Sequence, residues 1–419
     1  MNTLTVLFVL PLLVIFSYLF DSFARKTKFP AVILLMLTGI LIRGFMEAYG
    51  YQDIGFIDDL IPILGTVGLI LIVLEGALEL EINREKLPII LKGFLSALII
   101  LILNVVGISM LLQWLLKIGI NDAVIFSIPL SIISSAVAIP SAANLIKRDK
   151  EFVIYESTFS DILGIMLFNY IVNQVGKNQP LISIESIGSL ILQILGVVAI
   201  SLLITYTLFK LLQNITHNVK FFLILSLLIL VYAIGKYFHL PALVTIFIFG
   251  VFLSNVDVLL PKFLKRYLNL SQTEKGLHEF HILTAESTFI VKTFFFLFFG
   301  FSVVISDFTS PEPLFYGLLI FGIMFVIRYL YLSVSTLKIK PSTLVYMSPR
   351  GLISILLFLQ IKDLNVIVTK NTIVDERLLL VVIVSSMLFM IFGTMGSKSS
   401  RELSVPNKFD ADLFQDEVL

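Results

Sequence analysis

Long apolar runs alternate with short polar breaks along almost the whole chain. The runs are about 17–25 residues long, the length an α-helix needs to cross roughly 30 Å of hydrocarbon. They predict thirteen spans, near residues 3–22, 29–46, 58–78, 88–116, 121–146, 152–174, 184–213, 219–236, 240–257, 283–306, 313–336, 342–361 and 373–395. Helices rather than a barrel fit runs of this kind, because each span then satisfies its own backbone in lipid. The expected fold class is therefore an all-α polytopic membrane protein.

Composition agrees with the pattern. Of 419 residues, 58% are hydrophobic and only 14% charged, with a mean hydropathy of +1.01. The first run, Leu4 to Phe20, has no basic stretch ahead of it and no small-residue cleavage site behind it, so it reads as a retained span. The absence of cysteine excludes disulfides, thiol catalysis and Cys-ligated metals. A net charge of +1 argues against a nucleic-acid partner. His217, His239, His278 and His281 fall in loops or near span ends with no HExxH, which gives no zinc motif.

Charge placement sets an orientation. With the N-terminus outside, inner loops hold Arg25, Lys26, Lys28, Arg84, Lys86, Lys147, Arg148, Lys150, Lys210, Lys220, Lys262, Lys265, Arg266, Lys275, Lys338 and Lys340, and the tail adds Lys398, Arg401 and Lys408. Outer loops hold Arg43, Lys117, Lys177, Lys236, Lys362, Lys370 and Arg377, so nineteen basic residues face seven. The positive-inside rule then places the C-terminus in the cytoplasm. After Gly396 only a short polar tail is expected, with no extramembrane domain.

One internal similarity stands out. FPAVILLMLTGILI (29–42) aligns with LPALVTIFIFGVFL (240–253), placing Pro30 over Pro241, Ala31 over Ala242 and Gly39 over Gly250 at a constant offset of 211. The first copy enters from the inside and the second from the outside. That predicts two inverted six-helix repeats joined by a linker helix, an arrangement typical of secondary transporters. In such designs the ion site lies where equivalent spans are interrupted at mid-membrane. The fifth span has Pro129 and Pro140 bracketing Ser134 and Ser135, and the twelfth carries Ser348, Pro349, Arg350 and Gly351. Prolines free carbonyls and serines add hydroxyl oxygens, both suited to a hard monovalent cation. Two broken crossing helices are expected there; the plainer alternative is two kinked packing helices.

Two carboxylates in the sixth span demand an explanation. In YESTFSDILG, Ser157 and Asp161 share one helix face, while Glu156 and Ser160 share another roughly 140° from Asp161. An ionised carboxylate in a bilayer needs a fixed partner, an ion or a proton. Arg328, isolated in FGIMFVIRYLYLSV, is the natural partner for Glu156, leaving Asp161 free to exchange ligands; the alternative pairs Asp161 with Arg350. Glu75, in LIVLEGALELEI, either lines an entrance for cations or reaches the interface beside Glu79 and Glu81. Lys292, in FIVKTFFFLFFG, reads as an interfacial snorkeller.

Taken together these stretches resemble the monovalent cation:proton antiporter superfamily over nearly the whole chain. GTVGLILIVLEGALELEI resembles that family's third-span segment, YESTFSDILG its Glu-Ser, two residues, Asn-Asp motif, FVIRYLYL the span whose arginine pairs with the glutamate, and SPRGLISILL the Arg-Gly motif of the second crossing helix. The resemblance implies that Asp161 binds cation and proton, that Glu156 and Arg328 form a structural pair, and that Pro349, Arg350 and Gly351 shape the crossing. Ser134, Ser135, Ser157 and Ser160 complete the candidate ion site, with the cation held at Asp161. It further implies a homodimer in the bilayer. Residues 1–86 and 184–306 would form a scaffold, 87–176 and 313–395 a moving core, and 396–419 a cytoplasmic tail. Two departures matter. Ser160 replaces the asparagine, and Ser134-Ser135-Ala136 replaces the Thr-Asp-Pro of many sodium/proton exchangers, closer to the Ser-Ser of Kef-type potassium antiporters but without their nucleotide-binding domain.

The expected function is thus exchange of Na⁺ or K⁺ for protons by alternating access, with no cofactor, in a bacterial inner membrane. The alternative is a cation channel or ion sensor that has lost exchange. An intramembrane protease is disfavoured, since Asp161 has no second aspartate in a GxGD context and neither GxSxG nor HExxH occurs.

Overall fold

The computed structural model describes residues 3–27, 29–49, 55–181, 188, 195–196, 198–207, 220–237, 242–259, 270–303, 311–334, 341–362 and 374–396. The tail beyond Gly396, His217, His239, Pro241 and several counted basic residues, among them Lys28, Lys210 and Lys262, lie outside them. The described helices are α1 (Thr3–Thr27), α2 (Ala31–Ala48), α3 (Gly55–Leu78), α4 (Leu87–Leu116), α5 (Ile120–Ser131), α6 (Ser135–Ser141), α7 (Lys147–Gly176), α8 (Val198–Thr207), α9 (Lys220–Tyr237), α10 (Ala242–Ser254), α11 (Leu270–Ser302), α12 (Glu312–Val334), α13 (Leu352–Lys362) and α14 (Glu376–Gly396). No strand occurs among the described residues, and helix lies on each of the thirteen expected spans. Among the described residues seven helical stretches, with α5 and α6 taken as one, are long and apolar enough to cross a membrane by length and composition. The protein is an all-α, multi-pass membrane protein.

Exposure is inverted relative to a water-soluble fold. Leu12, Ile15 and Leu19 of α1, Met110 and Trp114 of α4, and Leu314, Leu318 and Val326 of α12 all point outward, which lipid tails accommodate and water would not. By contrast α7 turns its polar residues inward: Glu156, Ser157, Thr158, Ser160, Asp161 and Gln174 are buried. That helix is enclosed because α4, α5, α6 and α3 all pack on it.

Packing separates two groups of helices. In one, α11 lies on α2 and α3, with α10 on α3 and α9 and with α1 on α2; in the other, α4 lies on α7 and α5, with α12 on α14 and α4 and with α13 on α5. They meet where α3 touches α6, α7 and α13. Within the first group the repeated glycines are used reciprocally. A Cβ on Gly39 of α2 would collide with the Leu297 carbonyl of α11, and a Cβ on Gly250 of α10 would press on Ala77 and the Leu74 carbonyl of α3. The C-terminal end of α3 is finished from α10. Ser254 Oγ donates to the Leu78 carbonyl at 2.7 Å, and Asn255 Nδ2 donates to the Leu80 carbonyl at 2.7 Å while its Oδ1 accepts from the Ile82 N–H at 2.5 Å.

The close approach at Gly39 generates a test with an internal control. Gly39→Ala forces backbone apart and is expected to cost on the order of 1–3 kcal/mol, seen as a lower unfolding temperature in detergent. Gly44→Ala, on the same helix, meets open space and should be neutral or slightly stabilising. Equal melting temperatures for the two variants would refute this account of α2 packing.

Candidate functional site

Two interrupted spans build the centre. Between α5 and α6 the chain runs extended at Ile132 and Ser134. The prolines lie inside the flanking helices, Pro129 in α5 and Pro140 in α6, so the interruption falls between them and not at either one. In the twelfth span a short turn, Pro341–Leu344, gives way to non-helical backbone from Met347 to Gly351 before α13 begins. The two breaks bond directly, with the Ser134 N–H donating to the Pro349 carbonyl at 2.9 Å. Glycine is required at 351 because a Cβ there would run into the Ser134 side chain.

Helix interruption leaves carbonyls without partners, and two buried arginines take them. Arg350 donates from Nε to the Leu130 carbonyl at 2.7 Å and from Nη1 to the Ser348 carbonyl at 2.9 Å, while its own N–H is held by Ser386 Oγ at 2.9 Å. Its alternative partner, Asp161, is not among these contacts. Arg328 donates from Nε and Nη2 to the Leu344 carbonyl at 3.0 and 2.8 Å, and from Nη2 to the Met347 carbonyl at 3.2 Å. The same guanidinium forks onto Glu156, with Nη1 to Oε1 at 3.0 Å and Nη2 to Oε2 at 2.8 Å. Ser96 of α4 adds a third donor to Oε1 at 2.6 Å. Glu156 and Arg328 are each 1% exposed, so the pair is a closed, fully bonded unit.

Asp161 is different. It is equally buried, and its Oδ2 accepts the Ser135 N–H at 3.1 Å, but Oδ1 has no hydrogen-bond partner. Ser134 Oγ likewise has none. Ser160 uses its hydroxyl oxygen to accept the Ile133 N–H at 2.9 Å, which pins the extended break, and Ser157 donates to the Val153 carbonyl at 2.7 Å within its own helix. The structure thus brings Ser134, Ser135, Ser160 and Asp161 around one break, with Ser157 one turn earlier on α7.

A cavity of about 600 Å³ leads toward this point. Its walls include Glu75, Gly76, Glu79, Ser135, Ile154 and Lys292. Lys292 is not an interfacial snorkeller: its Nζ donates to Glu75 Oε2 at 2.8 Å, tying α11 to α3. Snorkelling was the expectation because the lysine stands alone in FIVKTFFFLFFG; its partner lies 217 residues away and no local spacing reveals it. Glu79, just past the end of α3, has an occluded Oε2 with no partner. Burial, reinforced by Glu75 nearby and offset by Lys292 and Lys150, pushes its carboxyl up to about 7. Ser96, Ser386 and Thr158 were also not anticipated, since single hydroxyls in apolar runs carry no positional signal.

Interrupted helices hydrogen-bonded at a buried carboxylate, with a polar cavity on one side, define an ion-handling helical membrane protein. Residues 11–397 match the family model described as sodium/hydrogen exchanger, transmembrane, and the chain belongs to that family of membrane exchangers. No curated protein matches the sequence. Among solved structures, the fold is similar to that of the sodium proton antiporter MjNhaP1 from Methanocaldococcus jannaschii at pH 8, with a TM-score of 0.68, 18% identity, and coverage of 94% of this chain and 95% of that one. A second structure of MjNhaP1, a 3D electron-microscopy map, gives the same score and identity over 96% and 97% of the two chains.

Two tests follow from the charges. Removing one member of the Glu156–Arg328 pair should cost about 3–5 kcal/mol. Arg328→Ala should be the worse of the two, because it also strips the Leu344 and Met347 carbonyls. The double variant with Glu156→Gln should be no less stable than Arg328→Ala alone; additive losses in unfolding temperature would show that the two residues act separately. For Glu79, the native carboxyl titrates near 7 against an ordinary value of 4.5, so the folded state holds its proton more tightly and loses stability as pH rises through that window. The melting-temperature advantage of Glu79→Gln over native protein should be absent below about pH 4.5 and complete above about pH 7. A difference independent of pH would refute it.

Proposed function

We propose that the protein is a secondary antiporter exchanging a monovalent cation, Na⁺ or K⁺, for protons by alternating access at Asp161. The observation that carries this reading is the half-bonded state of Asp161: one carboxylate oxygen is fixed by the Ser135 N–H and the other has no partner in a fully buried setting. An unpaired buried charge is costly, so the group is expected to hold either a proton or a cation and to cross the membrane only with one of them. Glu156 does not compete, because Arg328 already neutralises it. Glu75 does not add a second proton while Lys292 balances its charge. One free acid at the crossing itself gives one proton per cation, hence electroneutral exchange, with Glu79 standing outside the crossing past the end of α3.

The cavity walled by Glu75, Glu79 and Lys292 is the cytoplasmic approach in this scheme, and Ser134, Ser135 and Ser157 stand around the ion. The group of α1–α3 and α8–α11 serves as a scaffold that dimerises with a second copy, while α4–α7 and α12–α14 carry the ion. The reciprocal use of Gly39 and Gly250 supports an inverted repeat behind this division. We place the protein in a bacterial inner membrane with its N-terminus outside and C-terminus in the cytoplasm. Sodium, the ion named for MjNhaP1, is the first cation to test, with K⁺ alongside because Ser134-Ser135 brings no second acid to the crossing.

Reconstituted in liposomes with an internal pH dye, native protein should move protons on addition of Na⁺ or K⁺, unaffected by membrane potential, with apparent cation affinity weakening as pH falls. Asp161→Asn, which fixes the protonated form, should abolish exchange while leaving the unfolding temperature within a few degrees of native. Exchange by Asp161→Asn, or a cation affinity flat across the acidic range, would overturn the single-carboxylate scheme. Cation current indifferent to an opposing proton gradient would instead indicate a channel.

A further inference from the structure

Hydroxyls within these helices mostly bond to their own backbone. Ser109, Ser131, Ser141, Ser157, Thr284 and Thr288 each donate to the carbonyl four residues earlier, the default for a hydroxyl in apolar surroundings. Thr158 departs from it. The residue is 3% exposed, yet its Oγ1 has no hydrogen-bond partner and does not turn back to the Ile154 carbonyl, to which Ser157 Oγ donates instead at 3.4 Å. A buried unmet hydroxyl is destabilising, and one side-chain rotation would relieve it.

What Thr158 faces explains the cost. A Cβ placed on Gly76 of α3 would lie 3.5 Å from Thr158 Oγ1 and 3.6 Å from its methyl, so the Thr158 side chain faces a bare stretch of helix. Gly76 lines the cavity, as do Ile154, one turn before Thr158 on the same side of α7, and Ser135, whose N–H holds Asp161. Thr158 and Asp161 are three residues apart, which puts their Cβ atoms about 5–6 Å from each other on one side of the helix. Two buried oxygens without partners, Thr158 Oγ1 and Asp161 Oδ1, therefore belong to one side of α7, directly behind the wall that Gly76, Ser135 and Ile154 give the cavity.

We infer that Thr158 supplies a neutral oxygen ligand to the transported cation beside Asp161, an inference that rests on the exchange reading above. Hard cations are held by several oxygens at once, and a hydroxyl adds one without adding a titrating group. Thr158 thereby sets cation affinity and the choice among cations, while proton stoichiometry stays with Asp161.

Threonine and valine differ here by one hydroxyl against one methyl, which makes the experiment direct. In proteoliposomes assayed with Na⁺ and with K⁺, Thr158→Val should raise the apparent KM for the transported cation by about three- to tenfold, with maximal rate and proton-to-cation ratio unchanged; Thr158→Ser should stay within about twofold of native. In cation-free detergent Thr158→Val should melt at or above the native temperature, yet gain less on adding saturating cation. If the valine protein fails to express, Thr158→Ala carries the same KM expectation. Native exchange with an unchanged KM in folded Thr158→Val overturns the role of Thr158 alone. Absence of exchange by the native protein overturns the parent reading and this inference with it.

Discussion

Backbone that leaves a helix inside a bilayer must find its hydrogen bonds within the protein, since lipid offers none. That requirement organises the centre of this molecule. The breaks in the fifth and twelfth spans bond to each other through Ser134 and Pro349, and the carbonyls they free are met by Arg350 and Arg328. An arginine brought in for that purpose needs a counter-charge, which accounts for Glu156 and, behind it, Ser96. The ion pair is thus a consequence of the broken helices as much as a feature of charge. Once Glu156 is committed, the polar inventory of α7 leaves Asp161 as the one buried carboxylate of that helix with an oxygen unengaged.

Much of this was legible in the sequence, for physical reasons that can be named. Helix existence followed from runs of membrane length, and the pairing of Glu156 with Arg328 from the cost of an isolated charge in a bilayer together with the resemblance of their two spans to the exchanger motifs. The two breaks were foreshadowed by Pro129, Pro140, Pro349 and Gly351, although the prolines flank the interruption in α5 and α6 and do not cause it at their own positions. Register within the break depends on Ser160 receiving the Ile133 N–H, a contact that no local pattern encodes.

What stayed hidden is long-range. Lys292 looked like a snorkeller because hydropathy sees only its neighbours in sequence, whereas its carboxylate partner is on α3. Ser386, Ser96 and Thr158 were invisible for a related reason: a hydroxyl in an apolar run satisfies itself locally by default, and only the folded bundle distinguishes one that bonds elsewhere from one that bonds nowhere. Glu79 belongs to the same class. Its position past the end of α3 suggested an interfacial carboxylate, and only the packing around it explains an occluded oxygen.

The reciprocal glycines have a mechanical side. At Gly39 and Gly250 one helix rests on the main chain of another, with Gly39 against the Leu297 carbonyl and Gly250 against Leu74 and Ala77. Surfaces joined through backbone cannot slip by a helical turn without first lifting apart, because no rotamer change can make way. Contacts of α3 with α7 and α13 run through side chains instead, as where Gly65 admits Leu356 and Gly76 admits Thr158. Any sliding displacement inside the bundle is therefore steered to that second seam, which is also the seam along which the cavity opens.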